Sequence, residues 1–256
     1  MTGAADARSS KVPEVTLIFW IIKITATTLG ETGGDALSMT MQLGYAVSTV
    51  IFFAFFAVTA GAQIRARSFH PPLYWAVIVA TTTMGTTMAD FTDRSLGVGY
   101  VGGSLILFAL LLLVLAVWWR VEGSVSVNTI TSPRIEAFYW LTILLSNTLG
   151  TALGDFLADS GPGYEGGALV FAGALVLVWA AYAFTDVSRT LLFWIAFILT
   201  RPLGATIGDM LTKPVDDGGL NLSRISSSAI IAVFIVACIL FLPQRAGSHA
   251  GKARGV

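Results

Sequence analysis

The feature that most constrains the fold of this 256-residue chain is a pattern of tryptophan, glycine and aspartate that occurs four times. In each copy, glycine follows the tryptophan by ten residues and aspartate follows it by fifteen. The three sets are Trp20, Trp75, Trp140 and Trp194; Gly30, Gly85, Gly150 and Gly204; and Asp35, Asp90, Asp155 and Asp209. Four matches at fixed offsets are not a chance result in a chain with seven tryptophans, so the sequence predicts four tandem copies of one structural unit.

Each unit contains two apolar runs, and the composition shows what surrounds them. Charged residues make up only 12% of the chain and hydrophobic residues 55%, whereas a soluble domain carries about 25% charged residues. A helix needs about 20 apolar residues to cross about 30 Å of hydrocarbon. Eight runs approach that length, near 15–34, 44–62, 73–90, 99–119, 136–156, 166–185, 189–211 and 226–242. The sequence therefore predicts an all-α polytopic membrane protein with eight transmembrane helices.

The repeats and the apolar runs together predict the domain organisation. The expected segments are a cytoplasmic tail at 1–14, repeats at 15–67, 68–122, 133–185 and 186–243, and a second cytoplasmic tail at 244–256. Because each repeat contributes two helices, all four run the same way through the membrane, as parallel repeats do. The odd-numbered helices are interrupted by Thr, Gly and single charges, so we expect them to form an inner ring inside a ring of apolar even-numbered helices.

The Lys and Arg residues between the apolar runs predict the orientation. Ten lie on the side that holds both termini and three, Arg94, Lys213 and Arg224, lie on the other. Cytoplasmic loops of membrane proteins carry the excess of Lys and Arg, so both termini are expected in the cytoplasm. The tryptophans then lie at the cytoplasmic interface as anchors, and the aspartates lie about 22 Å away along the same helices. We expect a multi-pass protein of the cell (inner) membrane.

At this point the chain resembles an uncharacterised bacterial membrane-protein family with four tandem two-helix repeats. The resemblance is carried by Trp20-x7-Thr-Leu-Gly-x4-Asp35 and its three counterparts, and it covers residues 15 to 243. It implies an architecture and no activity. Separately, Glu31-Thr-Gly-Gly-Asp35 resembles the Glu-x-Gly-Asp motif of a cation-exporter family, with one residue more between the two acids.

The repeated aspartates are the leading candidates for a functional site. A carboxylate within a membrane is costly unless it is paired or hydrated, and such residues usually mark ion pathways. Four tandem repeats would bring Asp35, Asp90, Asp155 and Asp209 around one axis, with Glu31 one turn before Asp35. The alternative is that each aspartate caps a helix end at the outer interface.

Two basic residues, Lys23 and Arg201, break the fourfold symmetry and lie deeper than the acids. They either neutralise part of the acid cluster or act as tethered cations that occupy the site when the substrate is absent. Counted against Glu31 and the four aspartates, they leave three carboxylates without a partner. A divalent cation would compensate that deficit with the fewest particles.

Further polar and sulfur-containing residues line the predicted pathway. They are Thr28, Thr83, Thr148, Asn147, Met84 and Met88. Hydroxyls in membrane helices often satisfy carbonyls of their own or neighbouring helices, and they also supply oxygen ligands to a cation. Thioethers beside carboxylates favour a transition metal over magnesium or calcium, whereas the absence of histidine from the apolar runs argues against zinc and copper.

These observations favour a transporter of a divalent metal cation, with manganese the first choice and export slightly favoured over import. The alternatives are a channel or carrier for a small polar or anionic solute, and a membrane scaffold or sensor that transports nothing. The sequence contains no recognisable pair of nucleophile and base and no phosphate-binding loop, so it gives no indication of an enzyme. The expected partners are the lipid bilayer and a small ion or solute, with no nucleic acid and no cofactor beyond a manganese-like divalent cation. Whether the chain forms a homo-oligomer stays open.

Overall fold

The computed structural model describes residues 10–127, 130 and 132–247, and this part of the chain is all-α. The predicted tails therefore lie mostly outside the described residues, which include 10–14 and 244–247 of them. Eight long helices are present in the described part. They are α1 (Leu17–Asp35), α2 (Gly44–Arg65), α3 (Pro71–Asp90), α4 (Gly99–Glu122), α5 (Pro133–Asp159), α6 (Gly163–Phe184), α7 (Arg189–Thr212) and α8 (Arg224–Phe241).

The local sequence explains where several of these helices begin, and two of them pass into π-helical turns. Glycines with φ of 74°, 74° and 65° open α2, α4 and α6 at Gly44, Gly99 and Gly163, a conformation that only glycine adopts without strain. Helices α1 and α3 continue into π-helical turns, Ala36–Thr40 and Phe91–Ser95. Asp35 and Asp90 stand at these junctions, and π-helical turns are frequent at functional sites.

The four odd-numbered helices form a closed ring. In this ring α1 packs against α3, α3 against α5, α5 against α7, and α7 against α1. The even-numbered helices lie outside it, each against the ring helix of the following repeat: α2 on α3, α4 on α5, α6 on α7, and α8 on α1. The last helix of the chain thus covers the first.

Burial separates the two sets of helices as the sequence predicts. In the apolar spans of α2, α4, α6 and α8 only 6–22% of residues are buried, compared with 72% in α5 and α7. Thr83, Thr148 and Gly150 of the ring are buried, which confirms the inner and outer arrangement. Of the eight helices in the described part of the chain, six are long and apolar enough to cross a membrane. The exceptions are α1 and α3, whose polar residues face the other ring helices.

The repeated glycines lie where neighbouring ring helices approach each other closely. A methyl group at Gly30 would collide with Thr82, one at Gly150 with Arg201, and one at Gly204 with Thr27. At Gly85 a methyl group would make a tight contact of 3.0 Å with Thr148 N and 3.1 Å with Asn147 C. Each glycine therefore meets the residue seven positions after the tryptophan of the next repeat, so the ring helices run in the same direction. Small residues that permit close helix approach are typical of membrane proteins.

The four tryptophans lie together at one end of the ring, called here the Trp end, and the aspartates lie at the other, the Asp end. Each aromatic residue preceding a tryptophan contacts the tryptophan of a neighbouring repeat. The ring-centroid distances are 5.5 Å for Phe19–Trp75, 5.5 Å for Tyr74–Trp140, 6.3 Å for Tyr139–Trp194 and 5.8 Å for Phe193–Trp20. Trp75, Trp140 and Trp194 are buried. The prediction of interface anchors is therefore wrong for these three, because each ring packs in the core against the aromatic residue that precedes the tryptophan of a neighbouring repeat.

A segment before α1 covers the Trp end. Lys11 is buried, donates hydrogen bonds to the carbonyls of Gln63, Ile64 and Ala66 at the end of α2, and forms a 2.6 Å ion pair with Glu136 of α5. Pro13 forms an isolated antiparallel β-bridge with Ala246, which lies near the other end of the chain. These contacts close the ring on the side opposite the aspartates.

Candidate functional site

The polar interior of the ring follows a four-residue register on every ring helix. Positions seven, eleven and fifteen after the tryptophan lie on one helix face, since residues four apart are neighbours along a helix. The seventh positions are Thr27, Thr82, Asn147 and Arg201; the eleventh are Glu31, Thr86, Thr151 and Ala205; the fifteenth are the four aspartates. All twelve residues are buried. The ring thus encloses stacked polar layers between the Trp end and the Asp end.

The four aspartates are each at most 5% exposed, so they are not decoration of the outer surface. Two cations neutralise them in pairs. Arg94 lies 3.0 Å from Asp90 and 3.2 Å from Asp155. Lys213 lies 2.9 Å from Asp35, to which it donates a hydrogen bond, and 3.1 Å from Asp209 without hydrogen-bond geometry.

This pairing has twofold symmetry, not the fourfold symmetry of the aspartates. Arg94 and Lys213 occupy the same position in the second and fourth repeats, nineteen residues after the tryptophan. Each pairs with the aspartate four residues before it and with the aspartate of the next repeat around the ring. Each half of the chain therefore contributes one cation that bridges two aspartates.

Three carboxylates converge on the Lys213 side of this layer. Oxygen atoms of Glu31, Asp35 and Asp209 all lie within 4.8 Å of one another, and all three residues are buried. Such spacing allows a single metal ion to contact the three groups, and an all-oxygen ligand set suits magnesium, calcium or manganese. The ammonium of Lys213 contacts both Asp35 and Asp209, so it supplies a positive charge at the place where a bound cation would otherwise neutralise the triad.

Arg201 lies one layer closer to the Trp end and contacts the triad through Glu31. Its Nη2 atom donates to Glu31 Oε2 at 3.0 Å and to the hydroxyls of Thr86 and Thr151. Among the residues that the structure describes, its Nε and Nη1 atoms have no acceptor. The guanidinium therefore links α7 to the other three ring helices through one nitrogen. The N–H groups on its other two nitrogens have no acceptor among the described residues.

Lys23 lies in the same region without a carboxylate partner. Its ammonium nitrogen is 3.4 Å from Asn147 Oδ1 and 4.2 Å from the centre of the Phe197 ring, and the residue is fully buried. Asn147 in turn donates from Nδ2 to Thr81 at 2.9 Å. Within the described residues Lys23 forms no ion pair, so the expected neutralisation by the acid cluster is wrong for Lys23 and correct for Arg201.

The two cations at the Asp end keep their charge. Burial by itself lowers the pKa of Lys213, but the carboxylates of Asp209, Asp35 and Glu31 outweigh it and raise that pKa above its ordinary value. Burial and the carboxylates of Asp90 and Asp155 oppose each other in the same way at Arg94, whose pKa is also raised. Lys213 is therefore a permanently charged, tethered cation near neutral pH.

The charge deficit expected from the sequence is too large. The five carboxylates at positions 31, 35, 90, 155 and 209 face four basic groups, since Arg224 Nε also lies 3.6 Å from Asp35 Oδ2. The remaining deficit is one charge, not three. The site residues that sequence reasoning missed are Arg94, Lys213 and Arg224. The i,i+4 spacing of Arg94 from Asp90 and of Lys213 from Asp209 is the signal that could have identified the first two.

Other predicted pathway residues serve the helices themselves. The hydroxyls of Thr28, Thr83 and Thr148 donate to carbonyls of their own helix, at Ile24, Val79 and Leu144 respectively. Met84 is buried and Met88 half-buried on α3. Asn147 is the one member of this group that contacts a charged group of the ring, namely Lys23.

The fold and the site define a class: an all-α membrane protein in which a closed four-helix ring buries paired acidic and basic side chains. Four stretches of the chain, 18–69, 73–124, 138–188 and 192–245, match the family described as Repeat of Unknown Function (DUF347), and the chain belongs to that family. This confirms the resemblance to a family of four tandem repeats. No curated protein and no solved structure shows a match to this chain.

Proposed function

We propose that this protein is a transporter of a divalent metal cation, with manganese as the first substrate to test. The observation that carries the proposal is the buried triad of Glu31, Asp35 and Asp209, whose oxygens from two ring helices lie within 4.8 Å of one another. Buried ionisable residues in membrane helices are expensive and typically mark an ion path. The oxygen-only ligand set favours magnesium, calcium or manganese over softer ions.

In this proposal Lys213 acts as a substitute for the substrate. Its side chain follows the end of α7 and is 10% exposed, whereas the carboxylates it contacts are almost fully buried. An incoming cation displaces the ammonium from Asp35 and Asp209, and Lys213 returns when the cation leaves. The triad is thereby never left with three unpaired negative charges inside the protein.

All eight helices cross the cell (inner) membrane in this proposal, with both termini in the cytoplasm and export as the favoured direction. Helices α1 and α3 are too polar to span by themselves, but they occupy ring positions equivalent to those of α5 and α7. The excess of Lys and Arg at the Trp end supports a cytoplasmic Trp end. Cysteine labelling from either side of sealed vesicles, at Ser68 near the Trp end and at Asp216 near the Asp end, tests this orientation in a variant whose native cysteine is replaced.

Flux in proteoliposomes tests the function. Vesicles that contain a metal-sensitive dye are exposed to Mn²⁺, Mg²⁺ or Ca²⁺, with wild-type protein, with the Asp35→Asn, Asp209→Asn double variant, or without protein. We expect Mn²⁺ entry with the wild type alone, because asparagine preserves size but removes the charge. The matched control is Asp216→Asn, Asp217→Asn, which changes two exposed aspartates in the turn after α7.

Equal flux in the site variant and the wild type would exclude the triad as the binding site. Wild-type vesicles that pass none of the three cations but pass a small anion would instead support the anionic-solute alternative, through Lys23 and Arg201.

A further inference from the structure

The guanidinium of Arg201 lies at the centre of the helix ring. Its Nη2 atom is within hydrogen-bond distance of Glu31 on α1, Thr86 on α3 and Thr151 on α5. Helices α3 and α7 are opposite each other in the ring, with α1 and α5 between them. Only a group near the ring axis can reach all three helices at once. The side chain of Arg201 therefore extends from α7 to the axis and ties the four ring helices together.

The interior between the acidic triad and the Trp end is closed by further side chains. Lys23 on α1 reaches across the ring to Asn147 on the opposite helix α5, at 3.4 Å. At the same register as Lys23, three residues after the tryptophans, the other ring helices carry Ile78, Ile143 and Phe197, and all three are fully buried. A constriction formed by apolar side chains excludes water and ions. A cation on its way to the Trp end must therefore wait until the ring helices move apart.

Glu31 belongs both to the binding site and to the contacts that hold Arg201. It is one of the three carboxylates of the triad, and it is the ion-pair partner of Arg201. The other two partners of Nη2 are uncharged hydroxyls. The attraction between two charges is proportional to each of them, so a cation that neutralises Glu31 weakens the hold on Arg201. Neutral hydroxyls do not replace the lost partner of a buried charge.

The valence of the cation decides how strong this effect is. In the proposed function the entering cation displaces the ammonium of Lys213 from Asp35 and Asp209. A monovalent cation then replaces one positive charge by another, and the total charge at the triad stays the same. A divalent cation adds one positive charge. A ligand shifts a conformational equilibrium only through its different interaction with the two states, so a divalent cation weakens the hold on Arg201 and a monovalent cation does not.

We infer that Arg201 is the lock of the ring and that a divalent cation in the triad releases it. While Glu31 is available, Arg201 stays on the axis and the interior is closed toward the Trp end. When a divalent cation neutralises Glu31, the guanidinium leaves the axis for water that enters from the Trp end, and the ring helices move apart there. This inference rests on the proposed function and adds to it the residue that couples cation binding to opening and that selects divalent cations.

A cysteine placed in the closed part of the interior reports the opening. Ile143→Cys is made in a Cys238→Ala background, which removes the native thiol. The measurement is the rate at which a small, charged thiol reagent modifies the purified protein without cation, with Na⁺ or with Mn²⁺. We expect modification to be several-fold faster with Mn²⁺ than in the other two conditions. Ile78→Cys, at the same level of the ring, is a second reporter.

Two matched double variants test Arg201 as the lock. Thr86→Val, Thr151→Val removes the two hydroxyls that hold Arg201 and leaves every triad carboxylate in place. The control is Thr83→Val, Thr148→Val, because these hydroxyls on the same two helices bond to carbonyls of their own helix. Valine has nearly the shape of threonine, and size-exclusion chromatography in detergent checks the folding of both. The first variant should react faster than wild type without Mn²⁺, and the control should not.

Three outcomes would contradict the inference, and they are distinguishable from a failure of the proposed function. Equal reporter modification with Mn²⁺ and with Na⁺, in protein whose Mn²⁺ flux is normal, would overturn the lock and leave the proposed function intact. So would equal modification of the two double variants without Mn²⁺. Wild-type vesicles without any Mn²⁺ flux would overturn both.

Discussion

Arg201 and Glu31 form a fully buried ion pair, 3.0 Å long, that joins the last ring helix to the first. The residues are 170 positions apart in the chain, and their contact closes the ring at α1 and α7. A charge pair removed from water is worth little by itself, but breaking it leaves a single buried charge.

We therefore expect Arg201→Met to lower the free energy of unfolding by about 3–5 kcal/mol, because Glu31 then stays buried without its partner. The double variant Arg201→Met, Glu31→Gln should recover part of this loss, since the uncompensated charge is gone. Unfolding in detergent followed by circular dichroism measures both. If the double variant were no more stable than the single one, the pair would not be the source of the loss.

The second aspartate pair should matter as much as the first for transport. In Asp90→Asn, Asp155→Asn, the Arg94 guanidinium loses both of its carboxylate partners. It is then free to approach Asp35 and Asp209, where it competes with the substrate cation. We expect a folded, inserted protein without cation flux in proteoliposomes. Flux equal to that of the exposed double variant at positions 216 and 217 would contradict a role for this pair.

Removal of the tethered ammonium should make the triad bind metal more tightly. Lys213→Met leaves Asp35 and Asp209 without their closest cation, so added Mn²⁺ competes only with the more distant Arg224 at this pair and stabilises the folded state more. The expected result is a larger Mn²⁺-induced rise in melting temperature than in wild type. Lys213→Arg is the control, because it keeps the positive charge.

The raised pKa of Lys213 also predicts that its stabilising contribution, complete below the unfolded-state pKa, persists throughout pH 6–9 and is lost only at higher pH, above the folded-state pKa.

The repeated glycines provide a test of the ring packing. Gly150→Ala places a methyl group against the Arg201 side chain, whereas Gly173→Ala on α6 adds one to open space. Forcing an extra methyl group into a packed interior costs about 1–3 kcal/mol, so the first variant should unfold at a lower temperature. The second should behave like wild type. Equal thermal stability of the two variants would show that the ring helices can move apart at Gly150 without a loss of stability.

Two ion pairs near the Trp end differ in burial and should differ in their effect on stability. Lys11 and Glu136 are buried, whereas Arg134, which pairs with Glu122, is largely exposed. Lys11→Met should destabilise the protein clearly, since Glu136 and three helix-end carbonyls lose their partner. Arg134→Met should change the free energy of unfolding by about 0–1 kcal/mol, as exposed pairs do. Thermal unfolding of both variants in one detergent decides between them, and an equal loss would show that the Lys11 segment does not seal the ring.

Much of the architecture follows from the sequence, because periodic constraints are visible along a chain. The Trp, Gly and Asp offsets determine four equivalent two-helix units, and the contrast between polar and apolar runs determines which helices form the inner ring. A small residue repeated at one register also permits the close helix approach that the structure shows at Gly150 and its counterparts.

The pairing of charges between repeats was decided by the tertiary structure alone. Sequence reasoning paired the acids with Lys23 and Arg201 because those residues lie in the apolar runs, and it left Arg94 and Lys213 in the loops. In the folded protein both lie at the ring, because the turns after α3 and α7 place them one helical turn beyond Asp90 and Asp209. Which second aspartate each one meets depends on the order of helices around the ring. That order is set by packing between segments far apart in the chain, and no local pattern encodes it.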